Sequence, residues 1–184
     1  MPEGDKPGRD GHWAPGLELL DDSTPALALD LQNRLGELAS ALIPALALHP
    51  EVEVCIRVVN LDEMTRLHAQ WMGEAKATDV LSFPMDELRP CPPGAAAQPG
   101  ILGDLVICPD YVAAEGHESV PERLELLVVH GMLHLIGLDH AEEDEQRRMF
   151  ELQDELLRRW RQGGELVSTD ALPPVLMWGV HESG

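Results

Sequence analysis

From Arg123 to Ile136 the chain carries apolar residues on nearly every side of a helical projection. A surface helix shows a single apolar stripe, so a segment apolar all round predicts a helix enclosed by the rest of the fold. Ser119 followed by Glu122 at the third position, with Pro121 in the first turn, supplies its start signal. The remainder of a 184-residue chain must wrap around this rod. An apolar content of 44% suffices for one such core and leaves no room for a second full domain.

The flanking segments read in sequence. Pro25 after Thr24, then Leu27, Leu31, Leu35, Leu38 and Leu42 at steps of three and four, predict an amphipathic helix. Val52, Val54, Ile56 and Val58 alternate with polar neighbours as a half-buried strand does. Asn60 with Glu63 resembles a capping arrangement, and Leu61, Met64, Leu67 and Trp71 give a second helix ending near Gly73. Val80, Leu81 and Phe83 form a short strand stopped by Pro84, and Leu102 to Cys108 another. A Pro- and Ala-rich loop, Leu88 to Pro99, lies between them, and Pro109 with Asp110 opens a short helix. In the last helix the acids Glu142 to Glu145 favour the start and Arg158, Arg159 and Arg161 the end, with Met149, Leu152, Leu156 and Trp160 on its core face. The order is helix, strand, helix, strand, strand, helix, helix, helix. The expected class is α+β, a small mixed sheet of four strands or similar flanked by about five helices.

Residues 1–16 read as a disordered leader, 17–161 as a single domain, and 162–184 as a C-terminal extension in which Leu172, Val175, Leu176, Met177 and Trp178 follow no period. The longest apolar run, Ala41 to Leu48, is short and interrupted by Pro44, which predicts neither export nor a membrane span. Cys55, Cys91 and Cys108 are far apart and form no CxxC pair, which fits a reducing cytoplasm rather than a disulfide framework. Thirteen basic against 33 acidic residues give 13 − 33 = −20, a field that repels polyanions at long range.

His130 and His134, four apart on the central helix, leave the same face and reach one ion together. Gly137 can adopt the positive φ that ends a helix and turns the chain back, bringing His140 to the same ion. Three neutral imidazoles suit one Zn²⁺ and leave a fourth position for a water whose pKa falls to about 7. The metzincin proteases use the same spacing in HExxHxxGxxH, but Gly131 stands where their general-base Glu would be. Asp139, beside the third ligand, can orient an imidazole or act as a base.

HGMLHLIGLDH, preceded by ATDVLSFPMDEL at Ala77 to Leu88 and LGDLVICP at Leu102 to Pro109, closely resembles the YbeY family, and the similarity runs from about Val52 to Leu157. The resemblance implies a zinc-dependent, single-strand-specific endoribonuclease that matures ribosomal RNA, notably the small-subunit 3′ end, and acts in ribosome quality control. Its partners would be single-stranded rRNA and the small subunit or its assembly proteins, and its metal ligands His130, His134 and His140. The family's usual YR pair is Trp71 and Met72 here, and its Pro before the Thr is Ala77. The missing Arg is thought to help bind or cleave RNA, so Arg57, Arg66 or Lys76 would have to supply its charge. Thr78 and Ser82 either make local turn hydrogen bonds at a strand entry or line the substrate cleft. Asp104 is either paired structurally or aimed at the metal. Two other readings are a protease-like metal hydrolase and a ribosome-assembly module with a structural metal.

Overall fold

A computed structural model describes residues 13–163 and 166. The chain runs β1 (Leu17–Asp21), α1 (Leu29–Ala45), β2 (Glu53–Val58), α2 (Leu61–Met72), β3 (Val80–Pro84), β4 (Ile101–Ile107), α3 (Pro109–Ala114), α4 (Val120–Leu135) and α5 (Glu143–Arg161). This is the α+β arrangement expected, with four strands and five helices among the described residues. The sheet order is β1-β2-β4-β3. The first three strands of that order are parallel, and β3 is an antiparallel edge.

α4 lies where its all-round apolarity puts it, packed on β3, β4, α1, α3 and α5. Leu124, Leu127, Val128, Val129, Met132, Leu133 and Leu135 are all buried. Ser119 caps it by accepting from the Glu122 backbone N–H. Gly131 lets it settle onto the sheet, because a Cβ there would lie 2.5 Å from Leu105 Cδ2. Glu125, only 1% exposed, is the polar exception. It pairs with Arg34 of α1 and with Arg161 of α5, and so ties three helices together.

Two expectations near the start are corrected. β1 is the strand that the residue pattern left unassigned; five residues with buried Leu17 and Leu19 offer too little alternation, and pairing with β2 from Leu17↔Val54 onward defines it. The first helix begins at Leu29 rather than near Thr24. The Asp21 carboxylate accepts from the Ser23 and Leu27 backbones and from Gln32 Nε2, holding the preceding residues in a turn that satisfies their donors without a helix. Asn60 makes no cap with its own helix; its Oδ1 accepts from Thr24 N, tying that turn to α2.

Trp13, inside the expected leader, packs on the body: its ring covers Gly36 of α1, and Ala14 N donates to Ser40 Oγ. Leu166, from the expected extension, joins the core. Residues 1–12 and the tail from Leu172 to Trp178 lie outside the described residues. No described helix is long and apolar enough to cross a membrane. The three cysteines are unpaired, and burial with the neighbouring Asp104 charge pushes the Cys55 thiol up to about 11, so it stays protonated at neutral pH.

Candidate metal centre

The last turn of α4 closes with paired bonds: Gly137 N donates to His134 O at 2.9 Å and Leu138 N to Leu133 O at 3.0 Å. This double closure needs a residue in the left-handed region, and Gly137 supplies it with φ +93°. The chain reverses over the end of its own helix and returns His140 to the face that carries His130 and His134.

One ring nitrogen from each of the three histidines lies within 4.8 Å of the others. An ion can therefore sit within roughly 2.8 Å of all three, against a Zn–N bond of ~2.0–2.1 Å, so small ring movements complete the contact. His130 Nε2 and His134 Nε2 are already 3.1 Å apart, close to the ~3.3 Å between two ligands of a tetrahedral zinc. Burial pushes both imidazoles below their ordinary 6.5, and the neighbouring histidines push in the same direction. Both rings are thus neutral at pH 7, the form that donates a lone pair.

His130 Nδ1 lies 2.8 Å from Oε1 of Gln153, a buried residue of α5. The Nδ1–H donates to that amide oxygen, which fixes the ring and turns the Nε2 lone pair toward the shared point. Nothing in the local sequence marks Gln153, since only tertiary packing brings it here.

The histidines line a cavity of about 530 Å³ whose wall includes Met72, Asp79, Ser82 and Asp139. Asp139 Oδ1 accepts from His140 N at 2.7 Å, pinning the turn that presents the third ring. Ser82 Oγ donates to Gly131 O at 3.4 Å, while Thr78 Oγ1 donates to Asp79 Oδ1 and is not among the described lining residues. Asp79 Oδ2 is 3.2 Å from Arg123 Nη2, and both residues border an adjoining cavity against His130. Sequence reasoning passed over Arg123, although it stands seven residues, two helical turns, before His130. Asp104 lies on the face of β4 opposite Leu105, which packs on α4, and so points away from the histidines. Arg57 stands beside Asp22 and Glu63, Arg66 beside Glu63, and Lys76 beside Glu74; none is among the described residues lining the cavity.

The Endoribonuclease YbeY family profile matches residues 21–161, which contain the whole sheet except its first strand's opening residues and all five helices. The chain belongs to the YbeY family. Curated YbeY relatives include the Endoribonuclease YbeY of Thermobifida fusca, 51% identical over 138 residues, spanning 73% of this chain and 88% of that one. The Endoribonuclease YbeY of a Nocardioides species is 45% identical over 148 residues, or 79% of this chain and 97% of the relative. A Thermotoga maritima protein solved in solution shares 27% identity at a TM-score of 0.50, with 84% of this chain and 97% of that one covered. YbeY membership and the geometry at Gly131 weigh together against the protease pattern, because a side chain there would run into β4 instead of reaching the histidines.

Proposed function

We propose that this chain is a cytoplasmic, zinc-dependent, single-strand-specific endoribonuclease that matures ribosomal RNA, including the small-subunit 3′ end, and serves ribosome quality control. The observation that carries this reading is a convergent trio of imidazoles in the cavity of a YbeY-family chain. His130, His134 and His140 hold the ion, and an all-imidazole donor set suits zinc. When bound, it supplies Lewis acidity to a phosphodiester oxygen and acidifies a water.

The remaining roles fall to the chain's own groups. Gln153 keeps His130 in the ligating tautomer. Asp139, with Oδ1 engaged by the backbone, has Oδ2 free to take a proton from the attacking water or 2′-hydroxyl. Ser82 is a hydrogen-bonding group in the cavity wall.

A net charge of −20 demands a local cation for the substrate phosphates. The carboxylates beside Arg57, Arg66 and Lys76 offset their charge. Arg89 does not line the cavity either, but it stands beside no carboxylate among the described residues: its guanidinium lies over Gly137 of the cavity wall, where a Cβ would come 2.5 Å from its Cζ, and it bonds only the neighbouring Leu88 carbonyl.

Elemental analysis of protein purified without added metal, paired with cleavage of single-stranded RNA with and without chelator, tests the assignment. One zinc per chain and chelator-sensitive cutting are expected, with both lost together in His134→Ala. Peptide cleavage with RNA left intact would replace the nuclease by a protease. Zinc retained without cleavage of either substrate would leave an assembly module with a structural metal.

A further inference from the structure

Trp71, at the C-terminal end of α2, exposes 60% of its surface. Its indole meets the Phe83 ring edge-on, with centroids 5.8 Å apart and planes at 61°. That contact holds the indole in one orientation and leaves it open to a further partner. The adjacent Met72 is also exposed and lines the metal cavity, whereas Phe83, paired with Asp104, lies on the face of β3 opposite Ser82 and packs with Met64, Leu67 and Leu81. Trp71 therefore stands at the outer side of the β3 edge, and Met72 carries the apolar surface round that edge into the metal cavity.

The same rim carries open backbone. Cys108 N donates to Asp79 O and Met85 N to Leu102 O, so the ladder from β3 to β4 runs through the odd-numbered residues. The backbone groups of Val80 and Ser82 consequently point outward from the sheet edge, and both residues line the cavity.

Charge decides which occupant suits this rim. Arg66 and Lys76, on α2 and the loop after it, stand beside carboxylates, and so does Arg123 at the adjoining cavity. On a chain of net charge −20, long-range attraction for phosphates cannot supply the affinity. Stacking on an aromatic face does not depend on net charge and is open only to a base whose own faces are uncovered.

Resting on the endoribonuclease reading above, we infer that Trp71 is a stacking platform for an unpaired nucleobase beside the scissile phosphate, with the β3 edge offering hydrogen bonds to that base. A base inside a duplex is already covered by its neighbours, so the platform discriminates against double-stranded RNA.

The test titrates the full-length, metal-containing protein with a short 2′-O-methyl oligonucleotide, single-stranded or in duplex, and follows tryptophan fluorescence. Single strands are expected to quench the wild type and to leave Trp71→Phe unquenched. Trp71→Ala should weaken single-strand binding by about 10-fold or more, while Trp71→Phe recovers most of it. An unchanged melting temperature excludes a folding defect at this exposed site. One abasic substitution along the oligonucleotide should weaken the wild type and leave Trp71→Ala unmoved.

Cleavage of unmodified RNA, run in parallel, should show KM raised and kcat kept in Trp71→Ala. Cutting with the same KM in both proteins overturns the platform and leaves the nuclease intact; Trp71-dependent binding without cutting does the reverse. Preference for an extended peptide, with RNA affinity indifferent to Trp71, also overturns the inference and gives the β3 edge to a protein strand.

Discussion

Gln153 holds the His130 ring from a helix that carries none of the three histidines. Replacing it with Leu keeps the volume and removes the acceptor, and should weaken metal binding by roughly 10- to 100-fold with little change in fold, as read by competition with a chromogenic chelator. Protons act on the same rings. Burial lowers the His130 and His134 pKa values, so as pH falls below 6.5 the unfolded chain takes up protons first. Metal-free protein is therefore expected to lose stability from pH 6.5 down through the lowered native values, and to gain nothing from these rings above it. Urea midpoints of chelated protein near pH 7.5 and near pH 5.5 measure this, and a midpoint insensitive to pH across that interval would contradict it. The histidine triad was legible in sequence because its geometry is local: a four-residue step on one helix and a glycine that reverses the chain. Gln153, the Asp79–Arg123 pair and the exposed face of Trp71 were not, because each depends on distant elements meeting.

Among the elements, α4 was the most readable, since its apolarity, its Ser119 cap and its Gly137 exit all point to the same buried rod. β1 was the least, being short and defined only by its partner strand. The buried Glu125 breaks the apolar pattern of α4 and finds its partners on α1 and α5, 91 and 36 residues away. Removing both cations, as in Arg34→Ala with Arg161→Ala, leaves a core carboxylate with only the Trp160 Nε1 donor at 3.4 Å and should cost roughly 3 kcal/mol in urea unfolding. Glu125→Met, which removes the charge and keeps the bulk, should stay within about 1 kcal/mol of the wild type. Equal losses in the two proteins would show that the carboxylate contributes more than its own desolvation cost.

For the whole molecule, a charge of −20 on 184 residues makes self-repulsion a term in stability. Raising ionic strength from about 0.01 M to about 0.15 M shortens the screening length from ~30 Å to ~8 Å. The melting temperature should rise over that interval, whereas a fall would mean that favourable ion pairs outweigh the repulsion. Composition made the acidity plain, but it could not show that cations such as Arg66 and Lys76 stand beside acids while Arg89 lies over Gly137, a distribution that exists only after folding. The brace from α5 to the metal face also orders events during synthesis. By the time Leu138, Asp139 and His140 are joined to the chain, all three imidazoles exist, yet the amide that aligns the first is thirteen residues from being made. A growing chain that still lacks Gln153 would hold an ion at these histidines only loosely, and firm capture would wait until α5 has emerged and docked.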